Sequence, residues 1–327
     1  MKTFISHRIA LILGALLLCN FVCTGTYAQE QNTEMTTPKS KWLDPQPKHV
    51  GLMWNVGADI VSNYVWRGLY VGGLGVQADF MVGYGGLFLD MWWNVGAGDW
   101  TFNNVYGNTK IKLNPEVDMT LGFSRWGLTV MFMHMYYFDY YKGFDGQLSD
   151  NMSQYFNFAN TAPGGGITQE WRIKYKVSSK LPLTLLWCTR TWGRDGYMID
   201  GKGNQISCAD YNEMTEEAKS LCGVKRAYSS YFEINYDWRL PHDITMSTAV
   251  GLTPWKSMYT GYQGNFAINN VSVKLLKSWD LSKHCYMTAF ANLMMNPYDM
   301  AIMANGESGI NGNRKALWNV GCGFYLK

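Results

Sequence analysis

Charged residues recur at every second position along otherwise apolar stretches: Asp59, Arg67, Asp79, Asp90, Glu116 and Asp118 early in the chain, then Glu170, Arg172, Lys174, Lys176, Glu233, Asp237 and Arg239. Side chains spaced this way share one face of a β-strand. If the sheet closes, that face lines an interior. Charges around a narrow wet path replace part of a polar solute's hydration and set which sign enters, so the chemistry expected is selection of small hydrophilic solutes. The acids gather on the early strands and Arg172, Lys174 and Lys176 on one later strand, which predicts walls of opposite sign. Arg67, next to Gly68, is expected near the outer mouth. The competing expectation is that these charges pair across the interior and fill it, leaving a non-conducting barrel that serves as a surface scaffold or receptor. Barrels of about eight strands are filled and those of about sixteen are open, and this chain falls between.

Bond-making chemistry finds few residues to carry it. A hydrolase needs a Ser or Cys nucleophile beside a His that takes its proton. His49 precedes the strands, His242 and His284 fall in short turns, and His134 lies between Met133 and Met135 with no serine nearby. An enzyme is therefore not expected, and no cofactor is implied. Asp195-Gly196 and Asp200-Gly201-Lys202-Gly203-Asn204 have the oxygen-rich look of a calcium loop but lack the bidentate acid that closes one, so no metal site is expected. Gly-rich turns with Asp and Asn arise for backbone reasons alone. Cys208 and Cys222 share one expected surface loop, where an oxidising envelope would let them pair as a disulfide.

The elements that must position the charges are strands about ten residues long. Twelve are expected: 52–67, 75–84, 87–97, 114–123, 128–138, 168–177, 183–192, 228–239, 244–253, 265–274, 286–295 and 315–326. In the clearest of them Glu170, Arg172, Lys174 and Lys176 alternate with Trp171, Ile173, Tyr175 and Val177. The expected fold is all-β, a transmembrane antiparallel up-and-down β-barrel. In hydrocarbon no water satisfies backbone N–H and C=O groups, so alternating strands survive there only as a closed sheet. Connections near Gly85, Arg125, 178–180, Pro241 and 278–283 are short, whereas those at 98–113, 139–167, 193–227, 254–264 and 296–314 are long. Outer-membrane barrels keep periplasmic turns tight, which assigns the long loops to the cell exterior. The first outer loop, 68–74, is short against this rule. Residues 210–221 are expected to form a helix within the 193–227 loop.

Tryptophans fall at both levels: Trp54, Trp126, Trp238 and Trp279 at expected periplasmic ends, and Trp66, Trp100, Trp192 and Trp255 at external ends, as interfacial girdles require. After the leader no apolar run of about eighteen residues occurs. Mean hydropathy is −0.18, so spanning helices are not expected. Residues 1–28 carry Lys2, Arg8, an apolar stretch from Ile9 to Leu18 and the small-residue site Thr26-Tyr27-Ala28, the pattern of a signal peptide. Residues 29–50 then read as a polar periplasmic leader, and 51–327 as the barrel. A net charge of only +3 gives no electrostatic footprint for nucleic acid. Lipid bilayer, lipopolysaccharide, the outer-membrane assembly machinery and small hydrophilic solutes are the partners expected. Oligomeric state leaves no mark, since protomer contacts would use lipid-facing side chains like any others.

The run Ser62-Asn63-Tyr64-Val65-Trp66-Arg67-Gly68, then Val76-Gln77-Ala78, Gly86-Leu87-Phe88-Leu89-Asp90-Met91-Trp92 and Glu116-Val117-Asp118 to Gly122, resembles the TorF-type porins of Gram-negative envelopes. The likeness spans about residues 62–138. It implies a porin-like barrel and supplies no catalytic residues. The outer loops at 139–167 and 193–227 are long for that family, and the final aromatics, Phe324 and Tyr325, precede the terminal Lys327 rather than end the chain.

Overall fold

The computed structural model describes residues 51–104, 107–137, 167–178, 180–193, 195–305, 309–311 and 314–326, with side chains described outside 97–115 and 208–209. The expected signal peptide, the 29–50 leader, the side chain of Trp100 and nearly all of the 139–167 loop lie outside that description. Twelve wall strands form the barrel: β1 (Leu52–Val61), β4 (Gly75–Tyr84), β5 (Leu87–Asn104), β6 (Gly107–Arg125), β7 (Leu128–Tyr137), β8 (Ile167–Lys176), β9 (Leu183–Gly193), β12 (Ser230–Leu240), β13 (Ile244–Thr253), β14 (Ala267–Asp280), β15 (Cys285–Met295) and β16 (Leu317–Leu326). Each pairs antiparallel with the next, and β16 returns to β1 through the register Val56–Leu326 to Val61–Gly321, so the sheet has no free edge. Two small hairpins stand apart from the wall, β2 (Tyr64–Trp66) with β3 (Leu69–Gly72), and β10 (Gly196–Ile199) with β11 (Gly223–Arg226).

Alternation sets the two faces. Trp54, Leu121, Trp171, Ile173, Trp187, Ile234, Val250, Leu275, Leu293 and Val320 are exposed on the outside, while Asp59, Gln77, Asp118, Arg172, Asn235 and Asn319 are buried within. An apolar belt running around the whole wall is far larger than the patches soluble monomers tolerate, and it fits a surface solvated by lipid chains. Ile234 is 56% exposed midway along β12. We therefore expect Ile234→Arg to cost about 2–4 kcal/mol if that position meets the bilayer midplane. Urea titration of unfolding in phospholipid vesicles checks this, and an unchanged midpoint would remove lipid from the outer face.

Turns at one end are tight because their residues allow it: Gly85 and Gly86 both have positive φ and link β4 to β5 in two residues, and Trp126 and Gly127 do the same between β6 and β7. The opposite end carries the long connections. Here the structure departs from the sequence-based expectation in four places. The strand expected over 52–67 ends at Val61, and the chain leaves the wall to form the β2–β3 hairpin. The loop expected over 98–113 is instead an extension of the β5–β6 ladder, paired to Asn104–Gly107 past a register shift between Ala97 and Trp100. β14 runs on to Asp280, past the expected stop at Lys274. The helix expected over 210–221 is two short ones, α1 (Cys208–Glu213) and α2 (Glu216–Ser220), started by Ser207 and Thr215, whose hydroxyls accept from Asp210 N and Ala218 N.

Candidate functional site

The site is the barrel interior at its long-loop end, and the β2–β3 hairpin builds it. Tyr64-Val65-Trp66 and Leu69-Tyr70-Val71 are strand formers flanking Arg67-Gly68, where both residues have positive φ (48° and 80°). Two left-handed residues make the tight turn whose twist suits a two-residue hairpin. The tip is thus Arg67-Gly68, and it is folded inward. Gly68 is required there, because a Cβ would lie 1.7 Å from the backbone oxygen of Asn269 on β14. Side chains from the surrounding wall and loops grip the tip: Asn296 and Asn311 amides donate to the Gly68 carbonyl at 3.1 and 3.0 Å, and Asn269 donates to the Arg67 carbonyl at 2.9 Å.

Arg67 reaches across the lumen to β8. Its two terminal nitrogens donate to Glu170 at 2.9 and 3.0 Å, a two-pronged match of guanidinium to carboxylate. They also donate to the Tyr259 hydroxyl at 2.7 Å and to Cys188 Sγ at 2.8 Å. The guanidinium lies 4.6 Å from the Trp66 ring centroid and 4.9 Å from that of Tyr231. Glu170 is fully buried and accepts also from Arg172 Nε at 2.5 Å, with Arg190 Nε 4.0 Å away. Tyr64, Trp66, Trp92, Tyr231 and Tyr259 pack around this knot. Charge and aromatic area together make a buried cluster inside the barrel near the long-loop ends of β8, β9 and β12.

The remaining expected lumen residues distribute as follows. Asp59, Asp79, Glu116, Asp118, Arg172, Lys174 and Glu233 are buried inside the wall. Asp90 and Lys176 are half-buried. Tyr325 donates to Asp59 at 2.6 Å and Tyr64 to Glu116 at 3.0 Å, while Glu233 accepts from Tyr231 and, at 3.1 Å, from Asn270. Asp237 is half-buried and takes a hydrogen bond from Ser247 at 2.5 Å. Arg239 keeps the parity of Glu233 and Asp237 and pairs with Thr245, but β12 ends one residue later, at the short turn 241–243, so its side chain is exposed at the rim and not buried in the interior. Trp66 belongs to this buried cluster and not to an interfacial girdle, because the hairpin carries it inward. The acids of β1, β4, β5 and β6 and the cations of β8 and β9 occupy two stretches of the strand order, but Glu170 on β8, Glu233 on β12 and Lys274 on β14 are buried among them, so both signs meet within the interior.

Four participants escaped the sequence reading. Arg190 and Cys188 share the parity of Leu186 on β9, and Lys274 that of Ser272 on β14, so alternation alone could have found them. Lys274 is buried with its ammonium 4.3 Å from the Phe290 ring. Tyr259 had no local signal, since it sits in a loop turn over Met258–Thr260. The long loops are themselves anchored by buried acids. Asp195 accepts from Ser229 N at 2.8 Å and Ser229 Oγ at 2.5 Å, and burial pushes its carboxyl above the usual carboxylate range. Asp299, on α3 (Pro297–Ala304), accepts from Ile310 N at 2.5 Å and is shifted the same way by burial.

The other sequence candidates resolve into local structure. Asp200 accepts from the backbone N–H groups of Lys202 and Asn204, each at 2.8 Å, which organises the turn after β10. Cys222 is a free thiol that donates to Ala218 O at 3.4 Å, and the side chain of Cys208, its expected partner, lies outside the described residues. His134 is buried on the outward parity of β7, with its Nδ1 3.4 Å from the Gln169 amide.

No family model matches the chain, and no curated protein matches it. Among solved structures it is similar to the KdgM porin, at 6% identity over 84% of this chain and 98% of that one with a TM-score of 0.36. It is also similar to outer membrane phospholipase A from Escherichia coli, at 13% identity over 87% and 98% with a TM-score of 0.31. The toluene transporter TodX of Pseudomonas putida gives 10% identity over 93% and 95%, with a TM-score of 0.34. Likeness of this grade leaves function to the geometry of the chain itself.

Proposed function

We propose that this barrel is a porin-like conduit for small hydrophilic solutes in the outer membrane of a Gram-negative bacterium, shut in the present conformation by the β2–β3 hairpin. The observation that carries the reading is an interior wall built from charge: Asp59, Asp79, Glu116 and Asp118 on one arc and Arg172, Lys174 and Arg190 on another, inside a sheet whose outside is apolar. A barrel filled for stability alone gains more from apolar side chains, because every buried ion costs desolvation. The apolar belt supports the bilayer as surroundings, the leader-like residues 1–28 support export, and the long-loop end is then the cell exterior, with lipopolysaccharide and the assembly machinery as partners. Kinship with the TorF-type porins belongs to the same proposal.

A second reading, a permanently plugged scaffold or receptor, is favoured by the near-complete burial of Arg67 and Glu170. Conductance of the purified protein in planar bilayers separates the two. We expect resolvable openings, with Lys174→Glu moving the reversal potential in a salt gradient toward cations and Asp118→Lys toward anions. No openings under any voltage, together with no sugar-driven swelling of proteoliposomes, would leave the scaffold reading.

A further inference from the structure

Three guanidinium groups, those of Arg67, Arg172 and Arg190, converge on one carboxylate, that of Glu170. Arg190 is the outlying member. It is 3% exposed, its guanidinium lies 5.4 Å from the Trp66 ring centroid, and neither its Nε–H nor its Nη2–H meets an acceptor among the described residues. These two N–H groups lie parallel along one edge of the guanidinium, the edge that receives both oxygens of a carboxylate. Glu170 Oε2 is 4.0 Å from Arg190 Nε, beyond hydrogen-bond reach, because Glu170 is already committed to Arg67 and Arg172. Asp195, a second acid within electrostatic reach of Arg190 among the described residues, is occupied by Ser229 and, at 3.4 Å, by the Tyr262 hydroxyl.

We infer that the Arg190 edge, backed by Arg172 and Arg67, is a binding site for the carboxylate of a small organic anion at the outer constriction. A buried cation with an unmet donor edge costs desolvation that an incoming anion recovers, and the excess of cations over acids in the cluster sets the sign of what enters. Small carboxylates fit better than a dianion, since a single two-pronged edge is on offer. The inference deepens the conduit reading and rests on it, for a solute must reach the interior to meet Arg190.

The test uses the full chain purified in detergent, with thermal unfolding followed in sodium acetate and in sodium chloride at equal ionic strength. A ligand that binds only the folded state raises the midpoint in proportion to the logarithm of its concentration over its Kd. Acetate should protect where chloride does not. Arg190→Gln should raise the half-effective acetate concentration at least tenfold, and Glu170→Gln, which removes the resident anion, should lower it. Equal protection by the two salts in the wild type overturns the site, as does an unchanged acetate response in Arg190→Gln. The wild-type comparison stands even if a variant fails to fold. Bilayer current measured in parallel reports on the conduit separately: acetate protection without current keeps the site and removes the conduit, and current without acetate protection does the reverse.

Discussion

Arg67→Ala should open the barrel. In planar bilayers its open probability is expected to rise by ten- to a hundredfold, because the closed state loses the side chain that ties the hairpin tip to Glu170 and Cys188 on the far wall and to Tyr259 in the 258–260 turn. Breaking a buried ion pair costs about 3–5 kcal/mol when the remaining charge is stranded, and each 1.4 kcal/mol is about tenfold in an equilibrium. The lower end applies here, since Glu170 keeps Arg172 at 2.5 Å. Hydrogen bonds from Asn296 and Asn311 to the Gly68 carbonyl also persist and limit the shift. Arg67→Lys should fall between, as an ammonium keeps the charge but neither the two-pronged contact nor the flat stacking on Trp66 and Tyr231. If Arg67→Ala conducts like the wild type while retaining its thermal stability, the hairpin is not the closure.

The barrel was legible in the sequence because alternation has a period of two and a slip of one residue would turn every charged side chain into lipid. Glu170-Trp171-Arg172-Ile173-Lys174-Tyr175 admits one placement only, and the structure adopts it. Parity also located the acids of β1, β4, β5 and β6 before any coordinates. What it could not supply was the departure of the chain from the wall after Val61. Tyr64 and Trp66 continue the apolar phase of β1, so alternation extends the strand through them. The competing signal is Arg67-Gly68 between strand formers, a two-residue turn that reverses the chain at once. A short loop at an end where the others are long was the visible trace of that hairpin. Partners such as Glu170 and Tyr259 lie 103 and 192 residues from Arg67, and contacts of that separation leave no mark on local pattern. Arg239 shows the converse limit: it keeps the inward parity and pairs with Thr245 in the wall, but so close to the strand end that its side chain is exposed.

Gly68→Ala should reproduce the open phenotype with Arg67 intact. The added methyl would meet the Asn269 carbonyl oxygen at 1.7 Å and its carbon at 2.8 Å, and both are backbone atoms of β14, at its register shift opposite Gly251 and Leu252, flanked by the paired Ile268 and Asn270. A left-handed φ of 80° adds about 1–2 kcal/mol for any residue with a Cβ. The tip must therefore back out, taking the Arg67 guanidinium from Glu170 and the carbonyl of residue 68 from Asn296 and Asn311. Open probability should rise at least as far as in Arg67→Ala, because the steric cost strikes every contact of the tip at once. The wall should stay closed, and heat-dependent gel mobility of the folded barrel is expected to match the wild type. Since both substitutions act on one closed state, the double variant should open no further than Gly68→Ala alone. Additive effects would mean that Arg67 and Gly68 stabilise the closed state through independent contacts. A Gly68→Ala protein that folds, keeps its thermal midpoint and stays shut would show that the tip does not pass where β14 blocks it.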